Sequence, residues 1–227
     1  MRFVGIKFQI MQEIYLNSLN RKINYPLWNN DLEHKDLEII KQTLYDAYFE
    51  SNLKNYCEEA AFIFAEWWKN HYAGEAPSEE KVVLFLGLPE EAKKDLYSAA
   101  KKFLSKYNIP LIRQQYTLYF RTLLYQGGLP INFIINNDNN YSSYVNFLQE
   151  LCEEISDKII DWEDVSIFNH LSCKDSLSPS FRTDEIYGLS LRLIRAIIQD
   201  REELLPYNDV NSEKFQRLTA KIRESIR

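Results

Sequence analysis

Charged residues inside apolar helical stretches are the first candidates for chemistry in this sequence. Glu66 interrupts a nearly all-apolar run, and Arg113 and Arg121 lie in another. Because arginine is rarely buried without a partner, we predict an ion pair between Glu66 and one of these arginines on adjacent helices. A buried pair of this kind fixes helix register more often than it forms an active site, so we interpret it as structural.

The sequence contains only three histidines, which are His34, His71 and His170. None has a second histidine at helical spacing, so the H-E-x-x-H zinc motif is absent. Glycine-rich phosphate loops and the G-x-S-x-G nucleophile motif are absent as well. We therefore predict no catalytic residue, no metal and no cofactor. The enzyme hypothesis that is left is a site assembled in space near Glu66 and His71.

Three pairs of adjacent acidic residues occur in helical context: Glu58-Glu59, Glu90-Glu91 and Glu153-Glu154. Neighbouring residues point in different directions on a helix, so the two members of a pair do not act together as general acid and base. We predict that all three pairs belong to solvated faces.

Basic residues near aromatic ones suggest a nucleic-acid contact. Basic and aromatic residues occur together along residues 113–121, and such mixtures can stack bases. Further candidate contacts for phosphates or an acidic partner lie near the C-terminus: Arg192, Arg195, Lys214, Arg217 and Lys221. Aromatic stripes at helical spacing usually pack in a core, however, and nearby acidic residues nearly cancel these charges. The net charge of −6 also argues mildly against a nucleic-acid-binding domain.

The composition favours long helices joined by short links. Only 6 glycines and 7 prolines occur among 227 residues, whereas all-β folds need many turn residues. Apolar spacing predicts about ten helices. We therefore expect an all-α fold, an irregular multi-helix bundle.

Several elements can be placed from the pattern alone. Leu37, Ile40, Leu44 and Ala47 form the predicted buried stripe of one helix. Residues 53–72 are apolar almost all round, which predicts the central helix of the fold. A helix over 110–126 is expected to end at Gly127-Gly128. The polar run 136–140 predicts an exposed loop, and Thr183 is expected to cap a helix over 183–204.

The length suits a single α-helical domain over 1–227, or two lobes with a boundary in the Ser/Pro-rich stretch 174–182. The last helix carries no stop signal before Arg227, so we expect this chain to be part of a longer one; a naturally frayed C-terminal helix is the alternative. No window is apolar over the length of a membrane span, and no signal peptide is recognisable. Three cysteines at unrelated spacings fit a reducing cytoplasm, so we expect a soluble cytoplasmic protein without membrane contact.

Two segments resemble a known family. They are Glu66-Trp67-Trp68-Lys69 followed by His71-Tyr72, and Arg121-Thr122-Leu123-Leu124 leading into Gln126-Gly127-Gly128-Leu129-Pro130. Both are similar to the N-terminal region of the large accessory protein of Druantia type III-like bacterial antiphage defence systems, over roughly residues 53–135. One stretch departs from the family: its members have a tryptophan-containing stretch where this chain reads Gly74-Glu75-Ala76-Pro77-Ser78.

The resemblance implies a role in phage defence through protein assembly or DNA engagement, and it implies no catalytic residues. We therefore predict a helical scaffold or interaction domain. Its partner would be another protein, such as a defence helicase, or the remainder of a longer chain. The alternative is a nucleic-acid-binding module that uses basic and aromatic residues of the helices at 110–126 and 183–227.

Overall fold

The computed structural model describes residues 27–29, 32–111, 118–155, 172–177, 181–199 and 213–226. Within these ranges the regular structure is helical and contains no strand, which confirms the predicted all-α class. The first five α-helices are α1 His34–Phe49, α2 Cys57–Glu66, α3 Glu79–Leu86, α4 Lys93–Lys106 and α5 Leu118–Tyr125. The other four described are α6 Ile131–Ile135, α7 Asp138–Ile155, α8 Asp184–Ile198 and α9 Glu213–Ile226. None of the helices in these ranges is both long and apolar enough to cross a membrane.

The helices divide into two compact units. The first takes its described residues from Met1–Trp67 and Ser78–Gln126, and it contains α1 to α5. The second takes them from Trp68–Pro77 and Gly127–Arg227, and it contains α6 to α9. The Ser/Pro-rich stretch 174–182, where the sequence suggests a boundary, lies inside the second unit.

Helix α2 is surrounded by the other helices of the first unit. Ala60, Ala61, Ile63 and Phe64 are fully buried, and the helix packs against α1, α3, α4 and α5. An apolar surface on all sides is what a helix in this position requires. Each large apolar side chain buried there contributes about 1.5–3 kcal/mol to stability. The apolar sequence of α2 thus explains its central position in the unit.

Helix α1 buries one stripe and exposes the opposite face. Leu37, Ile40, Leu44 and Ala47 are buried, as their spacing predicts. The opposite face carries polar residues and, in its last two turns, exposed aromatic residues.

The spacing at 53–72 predicts one continuous helix, but the structure divides this stretch. Leu53–Asn55 form a separate 3₁₀ turn, and a π-helical segment follows α2 at Trp67–His71. In that segment the buried indole of Trp68 donates a hydrogen bond of 2.8 Å to the carbonyl oxygen of Gly128. Buried tryptophan N–H groups usually find such a partner. The two segments that carry the family resemblance therefore meet at this bond.

Residues 136–139 are exposed as predicted, but the loop is shorter than expected because α7 already begins at Asp138. The side-chain oxygen of Asn137 accepts hydrogen bonds from the backbone N–H groups of Asn139 and Asn140, at 3.0 and 3.2 Å. Asparagine is favoured both in loops and at helix N-termini. A polar run of this kind therefore does not distinguish the two by composition.

The stretch before α8 is anchored in the second unit. The carboxylate of Glu154 on α7 accepts hydrogen bonds from the backbone N–H groups of Ser172 and Cys173, at 3.1 and 2.9 Å. Phe181 is fully buried, and its ring centroid lies 4.8 Å from that of Phe133. These contacts join the described residues of this stretch to α6 and α7.

The long helices of the second unit pack against each other, and a buried polar contact joins two of them. Thr183 caps α8 by accepting a hydrogen bond of 3.3 Å from the backbone of Ile186, which confirms the predicted cap. The hydroxyl groups of Tyr144 on α7 and Ser190 on α8 share a bond of 2.8 Å. Helix α9 packs against both α7 and α8.

Two glycines with left-handed backbone differ in the space around them. Gly74 has φ of 90°, and a Cβ atom there would lie 2.5 Å from the Cζ atom of Phe133. That ring is held between Tyr72 and Phe181, with centroids 5.0 and 4.8 Å away. Gly87 ends α3 with φ of 76°, and no heavy atom would lie within 4 Å of an added Cβ.

We expect Gly87→Ala to lower the free energy of unfolding by about 1 kcal/mol, because alanine is strained in left-handed backbone. Gly74→Ala adds a clash with a ring that is held on two sides, so we expect a loss of about 2–4 kcal/mol. Urea unfolding followed by circular dichroism measures both values. An equal decrease in the free energy of unfolding for the two variants would contradict a clash between the added Cβ at position 74 and Phe133.

Candidate interaction surface

The predicted ion-pair residues lie on helices that pack together. Glu66 is the last residue of α2, Arg121 lies in α5, and both are half-buried. Between the same helices the rings of Phe64 and Phe120 meet edge to face, with centroids 5.9 Å apart. Arg113 lies outside the described residues. The pairing of Glu66 with either arginine therefore stays a prediction.

The basic residues predicted to contact nucleic acid or a partner lie on two helices that pack against each other, α8 and α9. Arg192 and Arg195 on α8 are half-buried, whereas Arg217 on α9 is exposed. Lys214 and Lys221 belong to α9, but their side chains lie outside the described part. Of the three whose burial is described, Arg217 is thus the one most accessible to a phosphate group.

The aromatic stripe at 113–121 is described only from residue 118 onward, and that part divides between core and surface. Phe120 is buried, whereas Tyr119 is 37% exposed. The ammonium group of Lys101 on α4 lies 4.4 Å from the ring centroid of Tyr119 and 5.4 Å from that of Tyr97. A cation over an aromatic face is attracted by the ring quadrupole. Tyr119 and Lys101 therefore form a small basic and aromatic surface.

The residues of the enzyme hypothesis differ in exposure. His71 is exposed at the end of the π-helical segment, and Glu66 is half-buried at the end of α2. In the described part of the chain, no group of three or more His, Cys, Asp and Glu side chains could hold a metal ion. A site assembled from Glu66 and His71 stays a hypothesis.

The prediction of a solvated face for Glu58 and Glu59 is wrong, because both residues are buried in the first turn of α2. The carboxylate of Glu58 accepts hydrogen bonds from the thiol of Cys57 at 2.8 Å and the hydroxyl of Tyr107 at 3.1 Å. It also accepts one from the ammonium group of Lys106. The cluster joins the start of α2 to the end of α4. Its lysine and glutamate are separated by 48 residues, so no local pattern reveals it.

The electrostatics of the cluster suit a structural role. Burial alone would raise the pKa of Glu58, but the hydrogen bonds from Cys57 and Lys106 outweigh it and lower the pKa. Burial, helped by the hydrogen bond to Glu58, raises the pKa of the Cys57 thiol to about 11. Because the thiolate is the reactive form of cysteine, this thiol is a poor nucleophile at neutral pH.

Exposed aromatic rings at the end of α1 form a surface that the sequence reading missed. Phe49 is 62% exposed and Tyr45 is 40% exposed. The ring centroid of Phe49 lies 4.9 Å from that of Tyr45 and 5.2 Å from that of Tyr48. We call these three residues the aromatic patch. Such ring contacts stabilise each other, so the patch is preformed.

The signal for this patch was available in the sequence. Tyr45 and Phe49 are one helical turn apart, and they lie on the face opposite the buried stripe that contains Ile40 and Leu44. Aromatic residues usually belong to the apolar face of a helix. Two of them on the polar face are therefore candidates for a binding surface.

Helix α3 borders the same face of the first unit. Lys41, one turn before Tyr45, places its ammonium group 4.3 Å from the ring centroid of Phe85 on α3. The neighbouring Leu84 is 78% exposed. Single exposed leucines are common, so the exposure of Leu84 carries no argument by itself.

Two carboxylates flank the aromatic patch. Asp46 accepts a hydrogen bond of 2.8 Å from the amide of Gln42, and Glu50 accepts one of 3.2 Å from the amide of Asn52. Both donors are neutral, and both acids are exposed. The C-terminal end of α1 adds its own partial negative charge. The patch is therefore apolar at its centre and negative along the side that carries Asp46 and Glu50, whereas Lys41 lies on the side toward α3.

No known protein family, curated protein or solved structure matches this chain.

We expect Glu58→Gln to lower the free energy of unfolding at pH 7 by about 1–3 kcal/mol, because Lys106 and Tyr107 lose a charged acceptor. The folded pKa of Glu58 is lowered, so its contribution is present above the unfolded pKa and is lost as the pH falls through the folded pKa. The difference between wild type and variant should therefore shrink below about pH 4.

Urea unfolding across a pH series measures this difference, and Glu91→Gln, an exposed acid before α4, is the matched control. A loss at pH 7 no larger than that of the Glu91→Gln variant would contradict the role of the cluster. A difference that stays constant down to acid pH would contradict its ionic character.

Proposed function

We propose that this chain is a helical interaction domain of a bacterial antiphage defence protein and that it assembles with a protein partner such as a helicase. The observation that carries the proposal is the preformed aromatic patch with 62% of Phe49 exposed. Aromatic residues are enriched at protein interfaces and dominate their binding energy. The resemblance at Glu66-Trp67-Trp68 and Gly127-Gly128 supports the setting in phage defence.

The polar cluster of the first unit also fits assembly better than catalysis. Its carboxylate, Glu58, already accepts three hydrogen bonds, so it is poorly placed to act as a general base. Its thiol, Cys57, stays protonated at neutral pH. These features support a structural role for the cluster and leave binding surfaces as the functional candidates.

We expect the tagged full chain to co-purify with a product of a neighbouring gene when the two are expressed together. We also expect deletion of the gene to reduce protection from phage to the level of a strain that lacks the whole system. Affinity purification and phage plating measure these outcomes. Protection that is unchanged on deletion, with no partner retained, would remove the proposal.

A nucleic-acid-binding module is the second candidate, and the surface formed by Tyr119 and Lys101 supports it. The exposed tyrosine ring lies under a cation, an arrangement found where proteins stack single-stranded bases. Arg217 and Arg223 on α9 are also exposed and could contact phosphates. On this hypothesis the aromatic patch of α1, with its flanking carboxylates, would face away from the nucleic acid.

If this second hypothesis holds, DNA affinity should fall steeply with salt, because phosphate contacts release counterions. Tyr119→Ser should weaken single-strand binding by about 1–3 kcal/mol through lost stacking. Electrophoretic mobility across a salt series measures both effects, with Ile198→Ser as the exposed control on α8. Absence of a shift at the lowest salt, or an equal loss in the control, would remove this candidate.

A further inference from the structure

We infer that the aromatic patch of α1 binds an arginine-containing apolar segment of a protein partner. This inference depends on the proposed function as an interaction domain, and it adds the chemistry of what is bound. It uses two properties of one surface: apolar rings exposed at its centre, and carboxylates at its edge that pair with no cation among the described residues.

The centre of the surface is apolar and already arranged for contact. Phe49 and Tyr45 expose 62% and 40% of their surface, although each ring lies against another aromatic ring. Because the rings support each other, binding would cost little side-chain ordering. The occupant must therefore supply apolar side chains of its own.

The edge of the surface calls for positive charge. Asp46 and Glu50 are one helical turn apart on the same side of α1. Both accept hydrogen bonds from neutral amides, and no Lys, Arg or His of the described ranges lies within ion-pair distance of either. A cationic side chain of a partner would compensate them.

Arginine fits this surface better than lysine. Its planar guanidinium group can stack on an exposed ring such as Phe49 while it donates two parallel hydrogen bonds to a carboxylate such as Asp46. Lysine is a point charge with a strongly held hydration shell, so it gains less from the aromatic face. The partner segment should therefore carry arginine next to leucine or an aromatic residue.

A second copy of the chain suits the surface less well. A two-fold contact places the same patch on both sides, so it would bring Asp46 and Glu50 of each copy close together. The net charge of −6 adds to this repulsion. Nucleic acid would be repelled by the same carboxylates.

The test is selection of short random peptides displayed on phage against the purified full chain. We expect the enriched peptides to contain arginine beside leucine, phenylalanine or tryptophan. The strongest one, synthesised with a fluorescent label, is then titrated against the variants. Phe49→Ser and the pair Asp46→Lys with Glu50→Lys should each weaken binding by about tenfold or more. Ile198→Ser, an exposed apolar residue on α8, should leave it unchanged.

Three results of the peptide experiment would overturn the inference. They are no enrichment, enriched peptides without arginine, and equal binding to wild type and Phe49→Ser. Self-association that is lost in Phe49→Ser would overturn it in favour of a second copy. Circular dichroism and urea unfolding of each variant exclude misfolding. The variant with Asp46→Lys and Glu50→Lys keeps all the aromatic rings, so it tests the charges separately. If the inference fails while the partner still co-purifies with wild type, the proposed function stands and another surface carries it.

Discussion

The all-round burial of α2 is the constraint on which the first unit depends. A helix surrounded by others has no water to solvate its polar groups, so each buried polar side chain needs a partner from a neighbouring helix. Glu58 finds donors in Cys57, Tyr107 and Lys106, and this need fixes the end of α4 against the start of α2. The neighbours of α2 bury one face against it, so their outer faces are left for solvent and for binding. The aromatic patch lies on one of those outer faces.

Much of the fold could be predicted from local patterns. The stripe of α1, with Ile40 and Leu44, and the cap of α8 at Thr183 follow from spacing and residue type, and the structure confirms both. Other features could not be predicted, because they depend on residues distant in sequence or on residue types that favour two kinds of structure equally. Lys106, which donates to Glu58, lies 48 residues away from it. The asparagines before α7 suit a loop as well as a cap. The π-helical segment at Trp67–His71 leaves no mark in the apolar spacing.

Only part of the candidate surface could be predicted from the sequence. The basic residues selected for their charge are divided among exposed, half-buried and undescribed positions, so they do not define one surface. The aromatic patch could have been predicted from the sequence, because Tyr45 and Phe49 lie opposite the buried stripe of the same helix. The sequence could not predict the contact between the rings, nor that Asp46 accepts its hydrogen bond from the neutral amide of Gln42. Both are properties of packing between side chains.

The protection of the native thiols has a practical consequence for spectroscopy. Burial raises the pKa of Cys57 to about 11 and that of Cys152 to about 12, and Cys173 is 1% exposed. Maleimide and iodoacetamide reagents attack the thiolate, so all three native cysteines should react slowly at neutral pH. A cysteine introduced on the outer face of α1 would react first. A dye or spin label attached there would sense the aromatic patch without removal of any native cysteine.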